Sequence, residues 1–312
     1  ALSNISLSYK LIGKVVKIEL IKSCPSIILI VSTEIEKYVI KFYTSTANLD
    51  LLHNYSIHIS NSMRAQTIIV NDFGELYSKV NILDNNYYMV IRNYIRGNKP
   101  SFLDLEDVFC FGESLGILHS ISDNFSFNLS SSINKKERLD IYIDNIIDLV
   151  KNNNSYKLNF GSYLDNLHES ISMLSSVFCD NTLLAADTLI HGDISSDNSI
   201  MLGNSVCFID FDDFCYSSKY YDIGAFKWEI SYNGEMHEDT WQVFLSGYSS
   251  TFKGLENLDM SVIDYCIIHK ELEVITYYLE LIEYYGSSYT NTDFINNRII
   301  FLRNHLNKYM EY

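Results

Sequence analysis

The sequence predicts an α+β chain: a small antiparallel, strand-rich N-terminal lobe followed by a larger helical lobe. Three observations carry this. β-branched apolar runs crowd the first ninety residues, apolar residues recur every three or four positions later on, and Gly97 and Pro100 mark the change. At 312 residues and 47% hydrophobic, with 24 Tyr and 17 Phe, the chain has enough apolar surface for two cores. Only 2 Pro and 13 Gly leave little room for linkers, so the lobes are expected at 1–95 and 96–312.

In the first lobe, "VVKIELI" (15–21), "SIILIVS" (26–32) and "KYVIKFY" (37–43) read as strands joined by short polar turns. A helical stretch follows near 48–62, then strands "QTIIV" (66–70), "ELYSKVNI" (75–82) and "YYMVIRNYI" (87–95). In the second lobe, 102–121 has helical spacing through Phe102, Leu105, Phe109 and Leu115. Further helices are expected at about 135–151, 161–178, 221–232, 237–251, 259–285 and 291–310. The only strands expected here are "SIML" (199–202) and "VCFIDF" (206–211).

Net charge is −16, which argues against nucleic acid as a partner, because phosphate backbones are bound by Lys and Arg. The charge is uneven. Residues 1–90 carry 8 basic and 7 acidic residues, and the remainder is at −17. Between Glu229 and Asp293, 12 acids face Lys253 and Lys270 alone. Such a lobe is either a solvated surface or an attractor of small cations. The six Cys form no CxxC pair, which fits reduced thiols in the cytoplasm. The longest apolar run, Ile27–Val31, is too short for a membrane span, and the N-terminus lacks a signal pattern. A cytoplasmic monomer or dimer is expected.

Two motifs carry chemistry. "HGDISSDN" (191–198) sets Asp193 and Asn198 in one loop, and "IDFDD" (209–213) follows after a hairpin turning at Gly203-Asn204. The hairpin brings Asn198 and Asp210 to the same end, where two oxygen donors suit Mg²⁺. Asp193 precedes them, suited to accept a proton from a hydroxyl nucleophile.

With "YYDIGAF" (220–226) beyond, the pattern resembles the aminoglycoside phosphotransferase and choline kinase-like family, the small-molecule branch of the protein-kinase fold. The resemblance spans roughly 15–226 and is strongest over 189–226. It implies a bilobal protein-kinase-like fold and a kinase using ATP or GTP with Mg²⁺. It implies Asp193 as catalytic base, Asn198 and Asp210 as metal ligands, and a structural role for Asp222, read as a helix N-cap. In such a fold Lys41, in "YVIKFY", serves the nucleotide phosphates, and the loop "KSCPS" (22–26) offers Ser23 and Ser26 to them. The hinge "VIRNYI" (90–95), with Ile91 and Asn93, is expected at the adenine. The family's usual glutamate partner for the lysine is missing, since 42–74 contains no Glu; Asp50, His53 and His58 are the available substitutes. Asp212 stands where protein kinases have glycine.

The acceptor is expected at the C-terminal helices. In 267–285 an apolar stripe of Ile268, Leu272, Ile275, Leu279 and Ile282 opposes Glu273, Tyr277, Glu280 and Tyr284. Acid alternating with aromatic suits an ammonium group, as does Asp197 near the motif. The expected partners are therefore a nucleoside triphosphate and a small, amine-bearing hydroxyl acceptor. An aminoglycoside-type or other antibiotic leads. A choline, thiamine or homoserine type of metabolite, and a nucleotide-binding pseudokinase, are the alternatives. A protein kinase is disfavoured by HGD in place of HRD.

Overall fold

Alternating side chains decide how the sheet presents its two faces, and β3 is the clearest case. The computed structural model describes residues 9, 11, 13–22, 26–127, 139–152, 162–177, 186–232, 238–253, 258–286 and 292–310. They divide into two compact units, one drawn from 1–134, 196–214 and 242–254, the other from 135–195, 215–241 and 255–312. The expected boundary at 95–96 lies inside the first unit.

In the first unit, β1 (Val15–Lys22), β2 (Ile27–Thr33), β3 (Lys37–Tyr43), β4 (Ile68–Ile69), β5 (Ser78–Ile82) and β6 (Asn85–Asn93) form one antiparallel sheet of order β1-β2-β3-β6-β4, with β5 on β6. Tyr38, Ile40 and Phe42 of β3 point one way with Met89 and Ile91 into one core. Period two sends Lys41 and Tyr43 to the opposite face, where β6 contributes Val90 and Arg92 through the pairs Lys41↔Val90 and Val39↔Arg92. The helix α1 (Leu49–Ser60) sets Leu49 beside Val90 and Tyr43. The expected strand at 66–70 shrinks to Ile68–Ile69, because Ala65, Gln66 and Thr67 are tied to Asn93 instead.

Also in this unit, α2 (Leu105–Asp123) starts at Asp104, whose carboxylate accepts from Glu106 N at 2.9 Å. Phe111 of α2 meets Phe208, and Val206 N donates to Ser114 Oγ at 2.9 Å, so α2 seats the hairpin of β8 (Ser199–Met201) and β9 (Val206–Phe208). The hairpin turns at Gly203, whose φ of 65° a two-residue turn requires, closed by Leu202 N to Ser205 O at 2.8 Å.

In the second unit, α3 (Leu139–Asn152), α4 (Ser162–Val177), α7 (Met260–Tyr285) and α8 (Thr292–Met310) share one core. The predicted stripe Ile268, Leu272, Ile275, Leu279 and Ile282 is buried in it. The helix α5 (Lys219–Tyr232) packs on α7, and α6 (Glu238–Thr251) runs from this unit into the first. A second small sheet, β7 (Thr188–Ile190) with β10 (Cys215–Ser217), corrects the expectation that the β8–β9 hairpin held the only strands of this half. Unlike β8 and β9, these two short strands are far apart in sequence with no tight turn joining them, so no hairpin signal marks them.

The helix ends otherwise fall close to their expected positions. Cys110, Cys207, Cys215 and Cys266 are free and buried; Cys24 and Cys179 lie outside the described residues. Among the described residues, no helix is long and apolar enough to cross a membrane.

Candidate functional site

The first unit carries a cluster around Lys41. Its ammonium, on a side chain only 7% exposed, pairs with Asp210 and lies 2.9 Å from Asp212 Oδ2. The other oxygen of Asp212 accepts from Tyr43 Oη at 2.8 Å and Arg92 Nη2 at 3.2 Å, and Arg92 also donates to Tyr43 Oη at 2.6 Å. Burial would raise the Asp212 carboxyl, but the charges of Arg92 and Lys41 outweigh it and hold it at about 2.

Asp210 is left-handed (φ 63°, ψ 59°) and opens the 3₁₀ turn Phe211–Asp213. That conformation costs a non-glycine residue about 1 kcal/mol, and Asp is among the few that adopt it. Ile209 N donates to Asn198 O at 2.9 Å, so the hairpin brings Asn198 and Asp210 to the same end, as its spacing predicts.

The second unit carries the loop of Asp193. The backbone N–H groups of His191 and Gly192 each donate to one oxygen of Asp222, both at 2.9 Å. Asp222 is fully buried in the first turn of α5. It is therefore a clamp on the loop, which corrects the N-cap reading; Ser218 lies before the helix and its Oγ accepts from Tyr220 N at 3.3 Å. Gly192 turns the chain with φ 83°, a conformation that strains side chains. Asp193 N then donates to His191 Nδ1 at 3.2 Å.

The Asp193 carboxylate takes an ion pair the sequence did not suggest. Lys270 Nζ of α7 lies 2.8 Å from its Oδ1 and 3.5 Å from Glu273 Oε2, and Glu273 also accepts from Tyr221 Oη. Burial works to raise the Asp193 carboxyl, yet Lys270 prevails and holds it below the ordinary carboxylate range. The available signal was local: Lys270 and Glu273 are three apart on one helix face.

The remaining expected residues fall as follows. Ser23 lies outside the described residues, and Ser26 is half-buried just before β2. Ile91 is fully buried between β3 and β4. Asn93 spends its amide and both backbone groups on residues 65–67. Both are thus committed to the sheet. Asp197 is exposed and pairs with Lys99 at 2.7 Å. Glu273 is half-buried beside Lys270, while Tyr277 and Glu280 are exposed on α7. Glu280 and Glu283 line a cavity of about 240 Å³ with Asn145, Asp148 and Leu149. Of the suggested substitutes for a helix glutamate, Asp50 is exposed and His58 Nε2 lies 3.3 Å from Ile121 O.

No group of three or more His, Cys, Asp and Glu arranged for a metal occurs among the described residues. The pair Asn198 and Asp210 nonetheless fits Mg²⁺, a hard ion that takes oxygen donors and few protein ligands.

Residues 174–250 match the family model described as APH, phosphotransferase enzyme family. No curated protein sequence matches the chain. Among solved structures, the spectinomycin phosphotransferase APH(9)-Ia in complex with ADP and spectinomycin aligns with a TM-score of 0.73 at 14% identity, covering 98% of this chain and 97% of its own. An amicoumacin kinase in complex with AMP-PNP and Ca²⁺ gives 0.70 at 12%, covering 98% and 91%. The choline kinase LicA from Streptococcus pneumoniae gives 0.59 at 15%, covering 98% and 97%. The fold is protein-kinase-like, and within it residues 174–250 resemble the phosphotransferase enzyme family.

Proposed function

We propose that this chain is a small-molecule kinase that moves the γ-phosphoryl group of ATP or GTP to a hydroxyl of a small amine-bearing molecule, with Asp193 as the base. The observation that carries the reading is the Asp193 carboxylate, held ionised by Lys270 on a loop clamped by Asp222. In the reaction the acceptor O–H gives its proton to Asp193 as its oxygen bonds to the γ-phosphorus. The bond from that phosphorus to the β-phosphate oxygen breaks, and nucleoside diphosphate leaves.

Lys41 contacts the nucleotide phosphates, and Ser23 and Ser26 belong to the loop expected to cover them. With Asn93 committed to the sheet, the adenine contacts pass to the backbone that follows it, from Tyr94 onward. Asn198 and Asp210 would hold Mg²⁺, which when bound neutralises phosphate charge.

An amine-bearing acceptor is supported by charge. The helix that carries Lys270 and Glu273 continues to Glu280 and Glu283, which share an acid-lined cavity with Asp148. An antibiotic acceptor is favoured by the spectinomycin and amicoumacin kinases of the same fold, and a metabolite by the choline kinase.

The test is nucleotide consumption with Mg²⁺ and ATP or GTP against aminoglycosides, peptide antibiotics and cationic metabolites, with Asp193→Asn as blank. Acceptor-dependent turnover absent from the blank is expected. Nucleotide binding without turnover in any arm would favour the pseudokinase instead.

A further inference from the structure

The cluster around Lys41 answers a question the sequence leaves open: what holds this lysine when no glutamate stands on the following helix? The helix α1 offers Asp50 alone, and it is exposed. On the side that meets the cluster, α1 presents Leu49 and Leu52, which line a cavity of about 240 Å³ with Tyr43, Phe211 and Asp212. Apolar side chains thus occupy the wall from which a helix acid would reach Lys41.

The carboxylate comes from the metal motif itself. Asp212 uses both oxygens, Oδ2 for Lys41 at 2.9 Å and Oδ1 for Tyr43 at 2.8 Å and Arg92 at 3.2 Å. Arg92 is 2% exposed and lies on β6, so Asp212 is anchored from a second strand of the sheet that carries Lys41. Its neighbour Asp210 has no such anchor; among the described residues its carboxylate pairs with Lys41.

We propose that Asp212 is the positioning residue for Lys41, taking the place of an acid on α1 and holding the lysine from the sheet side alongside its contact with Asp210. This rests on the nucleotide reading above. The third position of the Asp-Phe-Asp motif, where a glycine would contribute no side chain, thereby acquires a function. Asp212 keeps Lys41 at a fixed point on the sheet as a nucleotide arrives. Without it, Lys41 has Asp210 as its one remaining carboxylate, and the two lock each other.

A double-mutant cycle on the full chain tests this. Binding of AMP-PNP and GMP-PNP with Mg²⁺ is measured by calorimetry for wild type, Asp212→Asn, Lys41→Met and the double variant, each checked by thermal melting. Asn is chosen because its oxygen can still accept from Tyr43 and Arg92. Asp212→Asn is expected to weaken the nucleotide about tenfold in the wild-type background and to change little once Lys41 is Met, the signature of two residues acting through one contact. Equal losses in both backgrounds, or wild-type affinity in Asp212→Asn, overturn the proposal. If Asp212→Asn melts too low to assay, Asp212→Glu keeps the charge beside Arg92 and displaces the carboxylate by one methylene. Its cycle is judged by the same rule. A wild-type chain that binds neither analogue removes the nucleotide reading itself, whereas wild-type binding with additive losses removes this inference alone.

Discussion

Lys41 and Lys270 are both buried, and each pairs with two carboxylates, yet they are built differently. Around Lys41 the acids Asp210 and Asp212 are matched by a second cation, Arg92, so the cluster is close to neutral and tied to two strands. Around Lys270 the acids Asp193 and Glu273 face one lysine, with the Tyr221 hydroxyl as a further donor. There the rigidity comes from the backbone clamp of Asp222 behind Asp193. The contrast teaches a division of labour. At Lys41 two cations and two carboxylates balance, while at Lys270 the lysine alone must hold Asp193 ionised against both burial and the charge of Glu273.

The most severe way to break the comparison is Asp193→Asn. It removes the proposed base while its oxygen can still accept from Lys270, and turnover is expected to fall by roughly 10³-fold at unchanged nucleotide affinity. Steady-state kinetics beside calorimetry separate the two.

Asp222→Asn attacks the clamp. An amide NH₂ then confronts one of the two N–H donors of His191 and Gly192, at a cost of about 3 kcal/mol. Denaturant unfolding measures it, and a loss below 1 kcal/mol would show that the clamp is not what orders the loop.

Lys270→Met sharpens the electrostatic half. In the wild type, burial pushes the Asp193 carboxyl up but Lys270 outweighs it, so the folded value lies below the unfolded one. Its stabilisation is present above the unfolded value and is lost as pH falls through the folded one. Without Lys270, burial and Glu273 both raise that carboxyl and the sign reverses, so stability is gained as pH falls. The acid limb of the pH–turnover profile moves upward, and stability at neutral pH drops by about 2 kcal/mol, discounted because Asp193 is partly exposed. An unmoved acid limb would mean Lys270 does not set the state of Asp193.

The smallest effect belongs to Arg92→Lys, expected to cost about 1 kcal/mol in thermal unfolding. Both of its contacts leave one terminal nitrogen, Nη2, and the shorter lysine side chain cannot carry its ammonium to the same point.

Much of this was legible in the sequence for physical reasons. Strands β1, β2, β3, β5 and β6 announce themselves through β-branched runs, and the hairpin through its glycine at the turn. Asp193, Asn198 and Asp210 stand at spacings that local geometry fixes. What stayed hidden is tertiary. Lys270 meets Asp193 across 77 positions and Asp212 meets Lys41 across 171, and no periodicity encodes such pairs. The role of Asp222 was half seen: its place near a helix start suggested a cap, but its carboxylate serves a different loop.

Asp210 is left-handed, and that bears on how sequence change would be tolerated there. Glycine and asparagine accept the same backbone, so the two replacements that remove the carboxylate proposed for the metal are also those that best preserve the fold. Valine or isoleucine would lose both at once. A population of variants at this position would therefore split into silent, well-folded proteins and unstable ones, which makes Asp210 an easy point for an active lineage to drift into a stable, inactive descendant.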